Sequence, residues 1–437
     1  VKAMSEKSGF KKYMGVTFLI GAGFFTMGLM DPLYDSYVTI FLSKYIPYKW
    51  IVGMFMSLDN VLAIFLIPLV SAWSDKTRSP IGRRMPWIIV LLPLSALSFA
   101  YIPYAARSSL TALIIVLALL NLVKQSVRGP VVALMPDTVP PEYRSEGNGV
   151  INTMGNIAAI VGTLFLARLM DVDAVLPVLG KTKDALAFPA AGLLVFLASI
   201  MLLIFVREKK YSLALHADEK NDKPKEEKTP FIQSISAVLG SSDKSAFFVL
   251  LSLFLWFMGY QGMSPYIAEY SILTFHVSTG QGAFAAGMVG IASALSAIPM
   301  GYAAGKWGRR RMIRIALCAV SVVVLLQFVL SFFVPSENPG SMVFVFWGLM
   351  FLFGIFWICI IANSFPMLWQ MAGYEKIGLY TGLYYTFSQG AAILSPSIAG
   401  LIIDFAGHRA VFVYCAVFFA AAFLTMGRVS SGEKSDA

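Results

Sequence analysis

"SAWSDKTRSPIGRRMPW", residues 71–87, and "GYAAGKWGRRRM", residues 301–312, are short polar stretches in an otherwise apolar chain, and each repeats the other. Gly82-Arg83-Arg84 matches Gly308-Arg309-Arg310 at an offset of 308 − 82 = 226, and Asp75 stands opposite Gly305 at 305 − 75 = 230. The offset returns further along, at Pro136 with Pro366 (230) and Gly147 with Gly378 (231). A nearly constant offset of about half the 437 residues means two copies of one unit, a form of repetition common in transporters.

Composition gives the class. Hydrophobic residues make up 58% and charged residues 13%, with a mean hydropathy of +0.73, where soluble domains carry about 25% charged residues. These are membrane-protein values. A spanning helix needs about 20 apolar residues, so this length holds roughly a dozen spans. Helices are expected because lipid cannot satisfy an open backbone, and the apolar runs lack the period-two alternation of a β-barrel. The reading is an all-α polytopic protein with spans at about 14–42, 50–73, 85–105, 110–136, 147–169, 185–206, 246–274, 281–304, 312–334, 342–370, 378–403 and 409–427.

Twelve spans bring both termini to one side. About 25 of the 34 Lys and Arg residues fall in the termini and the even-numbered connections, which makes that side cytoplasmic. The net charge of +10 is then a topology signal and a response to anionic lipid, not a nucleic-acid surface. The start, "VKAMSEKSGFKKYMGVTFLIG", reads as a retained first span, because its apolar run outlasts a signal peptide and lacks a cleavage site. Residues 207–245 read as a flexible cytoplasmic linker, with "FIQSISAVLG" (231–240) a candidate surface-lying helix. The expected organisation is a bundle over 1–206, the linker, and a second bundle over 246–437.

The Asp followed by Gly-Arg-Arg in the second and eighth connections resembles the major facilitator superfamily. That resemblance implies two six-helix bundles, alternating access and a cytoplasmic gate made by Asp75, Arg83 and Arg84, with Arg309 and Arg310 in the second copy, where Gly305 replaces the acid and makes the gate one-sided. The physics agrees, since an Asp–Arg pair there must break on opening. Anchoring of these arginines to anionic headgroups is the competing explanation. A narrower resemblance, to the glycoside-pentoside-hexuronide:cation symporters and sucrose:proton symporters, rests on several stretches. They are "TRSPIGRRMPW", "GPVVALMPDTVPPEYRSEGNG" (129–149), "FLWFMGYQG" (254–262), "AIPMGYAAGKWGRR" (297–310) and "YTGLYYTFSQGAAILSP" (380–396). The fourth span departs from the sucrose pattern: Asn121 replaces an acid, Val132 replaces an Arg, and Lys124 and Arg128 are additions.

Ions inside spans point to a transport site, because hydrocarbon excludes them unless they are paired or hydrated. Asp31 and Asp35 lie four apart in span one, on one helix face, where like charges repel and favour binding of a proton or cation. Asp59 joins them from span two, and these three acids are the coupling candidates. Glu269 in span seven reads either as functional or as a solvated entrance residue. Lys124 and Arg128, again four apart, read either as fixed counterions or as cavity residues that bind substrate oxygens. Gln125 lies beside them.

Span five carries Asn148, Asn152 and Asn156 at helical spacing, amides that bind hydroxyls or join helices. Tyr260, Gln261, Tyr384 and Gln389, with Tyr380, Ser388, Trp256, Trp357 and Trp369, suit stacking on sugar faces. Cys318, Cys359 and Cys415 have no pairing or metal-ligand spacing, and His216, His276 and His408 belong to no catalytic motif. No metal, cofactor or enzyme activity is expected. The expected function is symport of a sugar or sugar acid with a proton in preference to sodium, by a monomer in a plasma (bacterial inner) membrane. A lysolipid carrier or a proton-driven amphiphile exporter is the alternative. The extra cations of span four favour an acidic sugar such as a hexuronide over sucrose.

Overall fold

The computed structural model describes residues 2–140, 143–211, 244–372 and 377–430, nearly all of them helical. The expected surface-lying helix at 231–240 and His216 lie outside the described residues, as does the side chain of Trp369. Eleven helices among the described residues are long and apolar enough to cross a membrane, and Ala410–Met426 is a shorter apolar one.

In chain order the first helices are α1 (Lys2–Ser43), α2 (Lys49–Met56), α3 (Leu58–Lys76), α4 (Met85–Ser108), α5 (Leu110–Thr138) and α6 (Arg144–Ile160). Span five then loosens through a π turn, Val161–Phe165, and a 3-10 turn, Leu166–Asp171. A two-stranded antiparallel hairpin, β1 (Val175–Leu176) with β2 (Gly180–Lys181), precedes α7 (Ala187–Phe205) and the single-turn α8 (Glu208–Tyr211). The remaining helices are α9 (Ser245–Met263), α10 (Ile267–Phe275), α11 (Thr279–Gly282), α12 (Phe284–Trp307), α13 (Arg309–Leu330), α14 (Val343–Ala372), α15 (Ile377–Ala406) and α16 (Ala410–Met426).

The chain forms two compact units whose boundaries differ from the sequence halves. One comprises Val1–Tyr34, Leu58–Lys225 and Thr279–Ala283; the other comprises Asp35–Ser57, Glu226–Ser278 and Phe284–Ala437. The last turns of α1 and all of α2 therefore group with second-half helices. Repetition in sequence marks covalent copies, and packing is free to cut across them.

In the first unit α4 packs on α5 and α7, and α3 packs on α5. The Phe99 and Phe188 rings meet there at 4.9 Å between centroids. In the second unit α9 packs on α15 and α16, α12 on α14, α13 on α14 and α16, and α2 on α15. Its core is aromatic, with Trp256, Tyr266, Tyr270, Phe346, Phe353, Phe412 and Phe419 all buried. α2 can approach α15 because position 53 is glycine: a Cβ there would lie 2.4 Å from the Pro396 carbonyl oxygen. Large apolar side chains such as Phe65, Val90, Leu97, Ile298 and Phe344 are exposed on the helices, as a surface solvated by lipid requires.

Candidate functional site

The first unit gathers four intramembrane charges. Lys124 Nζ on α5 lies 2.9 Å from Asp31 Oδ1 on α1 and 3.8 Å from Asp59 Oδ2 on α3. Arg128, one turn further along α5, places Nη1 4.0 Å from Asp31 Oδ2. Lys124 is the buried centre, its side chain 4% exposed, whereas Arg128 is 43% and Asp31 38% exposed. The spacing of four on α5 turns both cations to one side, and α1 and α3 each bring a carboxylate to it. Asp59 also accepts from the backbone and side-chain N–H groups of Asn60, at 2.7 and 2.9 Å.

Tyr34, which sequence reasoning did not single out, supports this cluster. Its ring centroid lies 4.9 Å from Lys124 Nζ, and its hydroxyl accepts a 3.0 Å hydrogen bond from Asn121 Nδ2. Asn121 Oδ1 and Gln125 Oε1 are buried with no hydrogen-bond partner among the described residues. Of the three candidate acids, Asp31 and Asp59 are the two that flank Lys124. A helical spacing of four shows only that two residues share a face; here packing changes between them. Asp35 belongs to the second unit, where it accepts a 3.5 Å contact from Ser264 Oγ.

Asn148, Asn152 and Asn156 are all exposed, with Asn152 Nδ2 donating to the Asn148 carbonyl at 2.8 Å. Exposed amides in a span suit a wet surface better than acyl chains, whose contact would leave them unsatisfied.

A second cluster surrounds the loop before α4. Arg84 pairs with Asp75 and donates to Ser74 Oγ; its Nε lies 3.0 Å from Asp137 Oδ2. Arg83 Nη2 reaches the same Asp137 oxygen at 3.0 Å. Both guanidinium groups are buried. Beneath them Glu208, fully buried, accepts from the backbone N–H groups of Arg83, Arg84 and Met85 at 2.9 to 3.1 Å. Those are donors that the first turn of α4 leaves open, so Glu208 is its cap across the chain. Position 82 must be glycine here: its φ is +123°, and a Cβ would sit 2.2 Å from Glu208 Oε2. Glu208–Tyr211, the single-turn α8, lies at the start of the stretch read as a linker from 207. In the second copy Arg310 Nη2 donates to the Gly427 carbonyl at 2.8 Å, and Arg309 opens α13 beside it.

The second unit holds an ion-paired seam. Lys49 Nζ lies 2.5 Å from Glu269 Oε1, and His408 Nε2 lies 3.4 Å from Glu269 Oε2. Asp404 accepts from the Lys49 and Trp50 backbone N–H groups at 2.7 and 3.0 Å and so caps α2. Glu269 is buried and paired, not a solvated entrance residue. The unit also contains an aromatic stack: Tyr260 lies on Trp357 at 4.3 Å and near-parallel, with Phe353 beyond. Gln261 is half-buried next to Tyr260. Tyr384 is buried, stacked on Phe365 at 3.7 Å, with its hydroxyl 3.2 Å from Ser364 Oγ. Gln389 Oε1 and Trp256 Nε1 are buried without partners among the described residues. Tyr380 is half-buried, and Ser388 Oγ donates to the Tyr385 carbonyl at 3.1 Å.

Glu208, Asp137, Lys49 and Asp404 were missed because they stand at helix ends, where a charge reads as ordinary solvation. Their one signal is the positive-φ glycine and the uncapped helix starts beside them.

No curated protein matches the sequence. Among solved structures the chain is similar to a bacterial homologue of the human lysosomal transporter Spinster, inward-facing and unoccupied (13% identity, TM-score 0.70, 97% of this chain and 99% of that one). It is also similar to a bacterial homologue of the iron transporter ferroportin in its inward-facing state (14%, 0.70, 96% and 99%). A third is the nucleoside transporter NupG (11%, 0.66, 95% and 99%). At such identities these likenesses show the fold. The family model described as Major Facilitator Superfamily matches residues 3–163, 185–396 and 274–435. The chain belongs to that superfamily, and is accordingly a multi-pass membrane transporter working by alternating access, not an enzyme.

Proposed function

We propose that the protein is a proton-coupled symporter of a sugar acid, monomeric in a plasma (bacterial inner) membrane with cytoplasmic termini. The supporting observation is the charge sum of the first unit's cluster. Asp31, Asp59, Lys124 and Arg128 balance to zero when all are ionised. A proton on Asp31 removes the carboxylate that holds both cations and leaves the cluster at +1. A carboxylate solute then bonds to the released Lys124 and Arg128 and returns it to zero. Empty and fully loaded carriers are both neutral, whereas a half-loaded one carries an unbalanced charge in low dielectric. That difference couples the two movements. A neutral sugar leaves the loaded state charged, which favours an anionic solute.

Arg128 receives the solute, because it is exposed and only loosely held, while Lys124 carries the coupling. Asn152 and Asn156, exposed in the same unit as Arg128, offer further donors and acceptors. The second unit, taken by itself, holds the Tyr260–Trp357 stack and the polar ends of Gln261, Tyr384 and Gln389, whose chemistry suits a pyranose face and its hydroxyls, and Asp35 as a separate coupling candidate. Asp75, Arg83, Arg84 and Asp137 close the cytoplasmic side, with Arg309 and Arg310 in the second copy.

The test is thermal-shift screening against neutral sugars, uronic acids and lysolipids, followed by proteoliposome uptake. Stabilisation by uronates, with uptake driven by an inward proton gradient, is expected. Stabilisation by lysolipid alone, or uptake driven only by sodium, overturns the assignment.

A further inference from the structure

A pocket of about 630 Å3 opens between the first turns of α13 and the end of α16, away from every residue assigned above except Arg310. Arg310, Arg311 and Arg314 form its rim, and Ile315, Ala319 and Phe423 its apolar wall. Arg310 and Arg314 are four apart and Arg311 and Arg314 three apart, so each neighbours Arg314 along α13, and all three line the pocket.

No carboxylate lines the pocket among the described residues. Three cations lining one pocket repel one another unless an anion joins them. Arg310 is steadied by the Gly427 carbonyl, at 2.8 Å. Arg314 lies over the Phe423 ring, with Cζ 4.8 Å from its centroid, and its Nε is buried with no hydrogen-bond partner among the described residues. A buried guanidinium N–H without an acceptor is a donor waiting for one.

We infer that this pocket binds the phosphate group of an anionic membrane lipid. The rim offers forked donors that match phosphate oxygens, and on α13 exposed Ile315 in the wall is followed two turns on by exposed Val322, apolar surface on which an acyl chain can lie. Both helices have an end there, α13 starting at Arg309 and α16 finishing at Met426, so the rim lies where two apolar helices stop, the level at which lipid headgroups are expected. Free phosphate satisfies the rim but leaves the wall of Ile315, Ala319 and Phe423 uncovered.

The test uses the whole protein, delipidated in neutral detergent, with native mass spectrometry to count retained lipids. Phosphatidic acid and phosphatidylglycerol are titrated against phosphatidylcholine, and thermal shift is measured in parallel with inorganic phosphate. One anionic lipid should be retained where phosphatidylcholine is not. Arg311→Gln and Arg314→Gln should each weaken retention about fivefold, the worth of one basic residue at an anionic surface. A Lys76→Gln/Arg78→Gln variant, which removes two exposed cations elsewhere, should retain the lipid fully. Equal retention of phosphatidylcholine, equal loss in that control variant, or stabilisation by inorganic phosphate alone each overturns the inference. The wild-type comparison stands even where an arginine variant folds poorly.

Discussion

Lys124 is a 4%-exposed cation between two carboxylates, Asp31 at 38% and Asp59 at 19% exposure, and its removal leaves Asp31 only the looser Arg128 and Asp59 no cation within 4 Å. Lys124→Ala should lower stability by about 1–3 kcal/mol, less than the loss of a fully buried pair because both acids keep partial exposure. The double variant Lys124→Ala/Asp31→Asn should regain most of that in thermal unfolding; an equal loss in both would show that the two are not coupled. Arg128, half in solvent, should behave otherwise. Arg128→Gln is expected to raise the KM for a sugar acid at least tenfold while shifting stability by roughly 1 kcal/mol or less, as exposed pairs do. The residue types were legible from sequence, since an ion in a span stands out. Their partners were not: Asp31 and Asp35 are equivalent by helical spacing, and only tertiary packing separates them.

Helix ends account for most of what sequence reading left out. Glu208 is one of many charges in a polar stretch, yet it terminates α4 by accepting three backbone N–H groups. Glu208→Ala should cost about 2 kcal/mol as a lost cap, while Lys209→Ala next to it should fall within about 0.5 kcal/mol, both read by thermal unfolding. The α2–α15 contact is the corresponding case in the second unit. Gly53→Val places side-chain atoms against the Pro396 carbonyl and should destabilise by about 1–3 kcal/mol, as overpacked sites do. A silent Gly53→Val would show that this crossing does not hold the helices together.

For the whole molecule, the order of the spans and the superfamily follow from hydropathy and from a motif repeated about 230 residues apart, and the twelve expected spans correspond, among the described residues, to eleven long apolar helices and the shorter Ala410–Met426. The grouping of Asp35–Ser57 with second-half helices does not, because a hydropathy pattern records how deep a segment lies and not which neighbours it packs against. The proposed proton coupling gives a prediction at this scale. In proteoliposomes, Asp31→Asn should abolish accumulation against a gradient yet keep solute exchange, since neutralising the acid mimics a permanently protonated carrier. Retained proton-driven accumulation would remove Asp31 from the coupling path.

The backbone crosses from one compact unit into the other within α1, between Tyr34 and Asp35, and again between α2 and α3, at Ser57. Pro32 stands just ahead of the first crossing, where it deletes one rung of the helical ladder. A helix that lacks that rung bends more easily there than at an intact turn, and the notch falls close to where the chain changes company. Repairing the notch with Pro32→Ala should leave solute affinity alone and slow turnover, making the proline a setting of speed more than of strength.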